Sequence, residues 1–385
     1  MATTAKIRFA NKNASAFENA GAFIEDVKQG VADYFESTGR SRHADWRMVV
    51  KTVLLLTFTF GAYGLILSGL FSAWGMLALA MFMGAGLAGI GFSIAHDALH
   101  GAYSSNPTIN RFLGYTFDFT GANGYMWQIT HNVIHHTYTN IDGVDEDLSV
   151  SPLLRLSPLS RRYWFHRYQH LYGFFAYGFA TLNWMFVKDY QQFMRKDIGP
   201  YTDKKHAKKE IAFLIFAKLV VYVYTIVIPL LVLDIALWQF IVGFLAMHMT
   251  AGMILGIIFQ LAHVVEGPDF PVPDDEGNME HAWLVHEMCT TANFAKKNKA
   301  LSWYVGGLNY QIEHHLFPQT CSIHYPAISG IVQDTAEKFG VPYYSQPTLF
   351  AAMGSHYRML KQLGEPETST QPGTPSTGEL EPAGS

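Results

Sequence analysis

Cysteine is nearly absent: Cys289 and Cys321 are the only two among 385 residues. Two so widely separated thiols make neither a disulfide framework nor a CxxC metal pair, so both are expected free in a reducing compartment. Charge is scarce too, at 15% of residues, and 27 Lys+Arg against 31 Asp+Glu leave a net charge of −4. No basic surplus exists to attract nucleic acid. The first forty residues lack the apolar core of a secretory signal, and residues 1–46 read as a polar cytosolic arm. No internal repeat stands at a solenoid or propeller period.

What is abundant is apolar sequence in four runs. Val49 to Leu70 is interrupted only by Lys51, and Trp74 to Ala95 follows after a short connection. Ile211 to Leu233 carries only Lys218, and Ile235 to Ala262 carries no formal charge. Each is long enough to cross a bilayer, for which about 20 residues suffice. The mean hydropathy of +0.09 nevertheless leaves a large aqueous part. The expected fold is all-α: a polytopic membrane protein with four transmembrane helices in two hairpins and a cytosolic helical cap, 96–210 and 263–363, within a domain spanning 47–363. Arg40, Arg42 and Arg47 precede the first run, and Lys204, Lys205, Lys208 and Lys209 the third, whereas the tight turns carry no Lys or Arg. The positive-inside rule therefore puts both termini and the cap on the cytosolic side. Within the cap, 170–187 reads as an interfacial helix broken by Gly173, Gly178 and Asn183. Residues 364–385, rich in Pro, Ser, Thr, Gly and Glu, read as a disordered tail.

Histidine is the second abundance. Of 17, eight fall where the hydropathy pattern puts the cytosolic membrane face. His96 and His100 close the second run, and four-residue spacing on a helix brings both imidazoles to one face. His131, His135 and His136 repeat that spacing with a doublet, whose members point about 100° apart and can serve different centres. His314 and His315 form another doublet, and His263 ends the fourth run. Eight ligands exceed the needs of one zinc, so two ions are implied, although imidazole suits several transition metals. The Glu-x-x-His pattern of carboxylate-bridged bundles does not organise these clusters.

The segments HDALH, HNVIHH and QIEHH resemble the three histidine boxes of the membrane fatty acid desaturases. GANGYMWQITHNVIHHTYTN, VDEDLSVSPLLRLSP and GGLNYQIEHHLFP are also similar to that family, so the resemblance runs from His96 to about Ala352. It implies two iron ions, with dioxygen as co-substrate, that remove hydrogens from adjacent methylenes of an acyl lipid, acyl-CoA or acyl carrier substrate. The boxes map onto His96 and His100, onto His131, His135 and His136, and onto His314 and His315, while His263 resembles the further ligand of the fourth span. Gln311, where many relatives have histidine, resembles the front-end desaturases, which act between an existing double bond and the carboxyl end. No HPGG motif of a fused cytochrome occurs in the sequence, so the electrons are expected from a separate ferredoxin or b-type cytochrome with its reductase. The membrane would be a bacterial inner membrane or the endoplasmic reticulum.

Metal-bound histidines usually donate their other ring N–H to a carboxylate or carbonyl. Asp97, Asn132, Asp145, Asp147 and Glu313 are the candidates for that role, and Gln311 is expected beside the centre rather than on it. His166 and His170 read as surface residues on a basic helix, His248 as a neutral imidazole hydrogen-bonded within the bundle, and His281 and His286 as surface or supporting residues. Two other functions share the pattern: hydroxylation or ketolation of a lipid or carotenoid, which also begins with hydrogen abstraction, and non-catalytic metal binding or transport. Against the second, transport sites lie near mid-bilayer.

Overall fold

The computed structural model describes residues 7–11, 17, 19–148 and 152–366. Much of the proposed tail therefore lies outside the described residues. Four helices are long and apolar enough to cross a membrane: Trp46–Leu67, Ala73–Leu99, Lys208–Val232 and Leu237–His263. The connections 68–72 and 233–236 lie at one end of this bundle, and the histidine boxes at the other. Asp45 caps the first span by accepting from the backbone N–H of Arg47, and Ser72 caps the second by accepting from Gly75.

Small residues set how closely the spans approach. A Cβ on Gly84 would collide with the carbonyl of Met247, and one on Gly86 with the hydroxyl of Thr59. One on Gly252 would meet the carbonyls of Tyr177 and Gly178. With lipid as apolar as the side chains themselves, such close backbone contact is what association between spans rests on. It also seats the segment expected as an interfacial helix against the fourth span. That segment is a broken series: Gln169–Tyr177, Ala180–Asn183, a π-helical Trp184–Lys188 and Asp189–Met194.

The cap is helical apart from a short parallel pairing of Ala292–Phe294 with Tyr344–Gln346. The segment expected as a polar arm contains the helix Ala20–Thr38, whose Phe23, Ile24, Val27 and Val31 are buried. The first three belong to a core with Val332 and Ala336 of the helix Tyr325–Phe339. Their three- and four-residue spacing is that of an amphipathic helix. His166, expected at the surface, is buried instead. Its ring accepts from the Tyr163 N–H and lies 2.9 Å from the Pro152 carbonyl. The basic residues around it suggested exposure, but the 3-10 helix Trp164–Tyr168, entered from an extended Tyr163, turns this one side chain inward.

The single charge between Ile211 and Val232 of the third span is neutralised internally. The Lys218 ammonium donates to Asp189 at 2.6 Å and to the carbonyls of Gly121 and Trp184 at 2.8 Å. Removing one partner of a buried pair leaves the other uncompensated, at a cost of about 3–5 kcal/mol. Lys218→Met is therefore expected to lower the thermal midpoint of the detergent-solubilised protein strongly, and Lys218→Met combined with Asp189→Leu to recover most of the loss. A single variant that melts with the wild type would show the pair to be dispensable.

Candidate metal centre

The helices that carry the boxes are irregular where the histidines begin. Gly91–Ala95 is π-helical and passes directly into His96–Leu99. Gln128–His135 is π-helical throughout, and the His136 N–H donates to the His131 carbonyl at 3.1 Å. Such a segment re-phases a helix by one residue per turn and is frequent at functional sites. Here it lets three side chains in six residues face one interior: the His131 and His135 rings stack at 5.0 Å, with the His136 ring 4.9 Å from that of His131.

The eight imidazoles converge. His96, His100, His131 and His314 form one buried group and His135, His263 and His315 another, the potential ligand atoms within each lying no more than 4.8 Å apart. His136 stands between them, its ring 4.5 Å from His314 and 4.3 Å from His315. It also lies 4.8 Å from His100.

Outer nitrogens are tethered. His135 Nδ1 donates to Asp145 at 3.0 Å, His315 Nδ1 to Glu287 at 2.7 Å, and His263 Nδ1 to the Thr290 carbonyl at 3.2 Å. Asp147 lies 3.4 Å from His131 Nδ1, and the Tyr325 hydroxyl 3.1 Å from His314 Nδ1. The Nε2 atoms of His100, His131, His135, His263, His314 and His315, and both ring nitrogens of His136, are buried without a hydrogen-bond partner. Buried polar atoms are seldom left so. Their clustering, all facing the same interior, is the arrangement a metal resolves, so the donor set fits metal ions. Burial, and then the neighbouring imidazoles, hold His100, His131, His136, His314 and His315 well below the usual histidine range. They are neutral, as ligation requires. Burial pushes the Glu287 carboxyl well up. A cation on the far side of His315 is the charge that would compensate its ionised form.

The expected supporting residues divide into two sets. Asp145 and Asp147 adjoin ligand rings as anticipated, and Gln311 is buried in the wall of the cavity that reaches His96, His131 and His314. Asp97 does not hold a ring: its Oδ2 accepts from the Ser322 N–H and hydroxyl and from Cys321, while His96 Nδ1 is 3.7 Å from Oδ1. The Asn132 amide donates to the Leu99 carbonyl. Glu313 accepts from Asn293 and Tyr343. These three side chains instead tie their boxes to neighbouring elements: Asp97 to Ser322, Asn132 to Leu99 and Glu313 to Asn293 and Tyr343. Glu287, Tyr325 and the Thr290 carbonyl were not anticipated. Only Glu287 had a sequence signal, as an acid among the apolar Leu284, Val285 and Met288 of the helix Trp283–Thr290. His286 is buried and lies 2.9 Å from the Thr139 carbonyl. His248 pairs with Thr181 at 3.1 Å, away from the two groups.

Residues 72–347 match the family model described as fatty acid desaturase. The chain belongs to that family. It is 36% identical over 369 residues to an sn-1 linoleoyl-lipid 6-desaturase of Synechocystis, covering 95% of this chain and 99% of the relative. It is 33% identical to an enzyme of the same description from Arthrospira platensis, covering 91% and 95%. An acyl-lipid (8-3)-desaturase of Physcomitrium patens is 34% identical, covering 91% and 74%. The desaturase is thus a membrane oxidoreductase acting on fatty acyl lipids, and its buried histidine clusters can hold metal. Hydroxylation and metal transport, the other readings of the histidine pattern, give way to desaturation.

Loss of a hydrogen bond to a ligand's outer nitrogen typically weakens metal binding about 10–100-fold. Glu287→Leu, which removes the acceptor, is expected to lose metal within that range in a chelator competition, while Glu313→Leu, whose carboxylate touches no histidine ring, keeps it. Equal retention in both would remove Glu287 from the centre's support.

Proposed function

We propose that His96, His100, His131, His135, His136, His263, His314 and His315 hold two iron ions, and that the desaturase uses them to place a double bond on the carboxyl side of an existing one in a lipid-linked linoleoyl chain. The observation that carries this reading is the inward convergence of unpaired imidazole nitrogens onto an apolar cavity. The substrate and position are those in the names of the two cyanobacterial relatives. Iron, when bound, supplies an oxidant strong enough for unactivated C–H bonds, which side-chain acids and bases cannot break. Dioxygen takes up four electrons and becomes two waters; two electrons come from the C–H pair and two from an external donor, a ferredoxin or b-type cytochrome.

The protein's own part is to exclude water and orient the chain. Phe92, Phe117, Leu255 and Phe259 line the cavity with His96, His131 and His314, and Trp127 stacks on His131 at 4.3 Å. An acyl chain in this channel passes the centre in a dry, shaped environment, where its methylenes are held rather than free. In this reading the four spans cross the membrane, and the basic residues before the first and third support a cytosolic side for termini and centre.

Metal analysis of the purified enzyme should give two irons per chain. Lipid profiles of expressing cells should show a product two hydrogens lighter, absent with His136→Ala at equal protein level. One zinc per chain, or an undiminished product in the variant, would contradict the reading.

A further inference from the structure

The cavity at the histidine centre does not end there. In one direction it shares Gly91, Phe117, Trp184 and Leu255 with a narrow apolar arm that reaches Leu87, Thr181, His248 and Ala251 inside the bundle. In the other it shares Tyr177, Ala180, Asn183 and Lys188 with a wider cavity of about 690 Å³. That size is within the range of sites that hold small molecules. Its wall changes character, adding Glu146, Gln191, Gln192 and Arg195. The channel thus has a polar mouth, a waist lined by His96, His131 and His314, and a narrow apolar end.

Two donors in the mouth have no hydrogen-bond acceptor among the described residues. Arg195 is matched to Glu146 at 3.3 Å, whereas Lys188 makes no hydrogen bond or ion pair with the described residues. Gln192 is 3% exposed, and its amide nitrogen is buried without an acceptor. An unsatisfied buried donor is costly unless something arrives to accept from it. Both groups donate, so the missing partner is an oxygen acceptor. Lys188 also bears on the centre itself, because its charge acts on Asp147 beside His131.

We propose that Lys188 and Gln192 receive the ester carbonyl of a lipid-linked acyl chain, and so fix which methylenes lie opposite the histidine centre. The inference rests on the desaturase reading and deepens it. A carbonyl held in the mouth sends the first methylenes past the centre, with the chain continuing along the apolar wall of Phe92, Phe117, Leu255 and Phe259. Because waist and mouth share four wall residues, the interval from carbonyl to centre is short, and the position of the double bond is counted from the carboxyl end. Entry with the methyl end left in the mouth would instead bring apolar carbon against the Lys188 ammonium and the Gln192 amide. Lys188 and Gln192 are substrate-positioning residues; no proton or electron passes through them.

The test uses the full-length enzyme in membranes, comparing wild type with Lys188→Met, Gln192→Met and Lys188→Arg, each normalised to bound metal. Double-bond position is read by mass spectrometry of derivatised fatty acids, with linoleoyl phosphatidylcholine and linoleoyl-CoA supplied in parallel. Lys188→Met and Gln192→Met should raise KM for the lipid substrate about tenfold, the usual effect of one lost hydrogen bond, and spread the product over neighbouring positions. Lys188→Arg should keep a single position, and the lipid ester should be used in preference to the thioester. Wild-type position and KM in both methionine variants, or a spread in Lys188→Arg equal to that in Lys188→Met, would overturn the assignment. So would preferential use of the thioester. Should one methionine variant lose its metal, the other decides the same question. Wild-type membranes that make no double bond would instead strike the desaturase reading itself.

Discussion

The structure depends on one constraint: imidazoles buried around a common interior keep inward nitrogens unpaired, while the opposite nitrogens of His131, His135, His263, His314 and His315 stand against a fixed partner. Unpaired buried nitrogens oppose folding on their own. The outer hydrogen bonds to Asp145, Glu287 and the Thr290 carbonyl turn that strain into preorganisation, because they fix tautomer and ring direction before metal arrives. Buried acids then make sense as well, since their charge is complementary to the cations that the histidine clusters can hold.

Anchoring requires elements that do not shift, and the packing of the spans provides them. Gly84 and Gly252 let the second span, the fourth span and the broken Gln169–Met194 segment meet backbone to backbone. His96 and His263 end two of these spans, so their positions follow from that contact. The same segment carries Lys188 and Gln192 at one end of the cavity and packs Thr181 against His248 further in. The histidine cluster and the cavity beside it are thereby built on shared helices, and a change in span packing would be felt at both.

Much of this was legible beforehand. The four apolar runs matched four long helices to within a few residues at most ends, because length and polarity alone decide which segments can cross lipid. The three boxes were visible because helical spacing translates directly into a shared face. The helix at Ala20–Thr38 was also written in its apolar periodicity, though the polar residues between masked it. Glu287 and Tyr325 were hidden because each meets its histidine only through tertiary contact, across gaps of 28 and 11 residues. Asp97, Asn132 and Glu313 looked like supports because they adjoin ligands in sequence. Adjacency on a helix, however, points side chains apart.

By itself, then, the sequence determined the class of protein, the number of apolar helices and the identity of the clustered histidines, since all three depend on composition and short-range spacing. The tertiary structure alone decided which nitrogens face inward, which acids stand behind them and where the channel becomes polar. Those features arise from π-helical re-phasing and from backbone carbonyls, neither of which leaves a distinct mark on the order of residues.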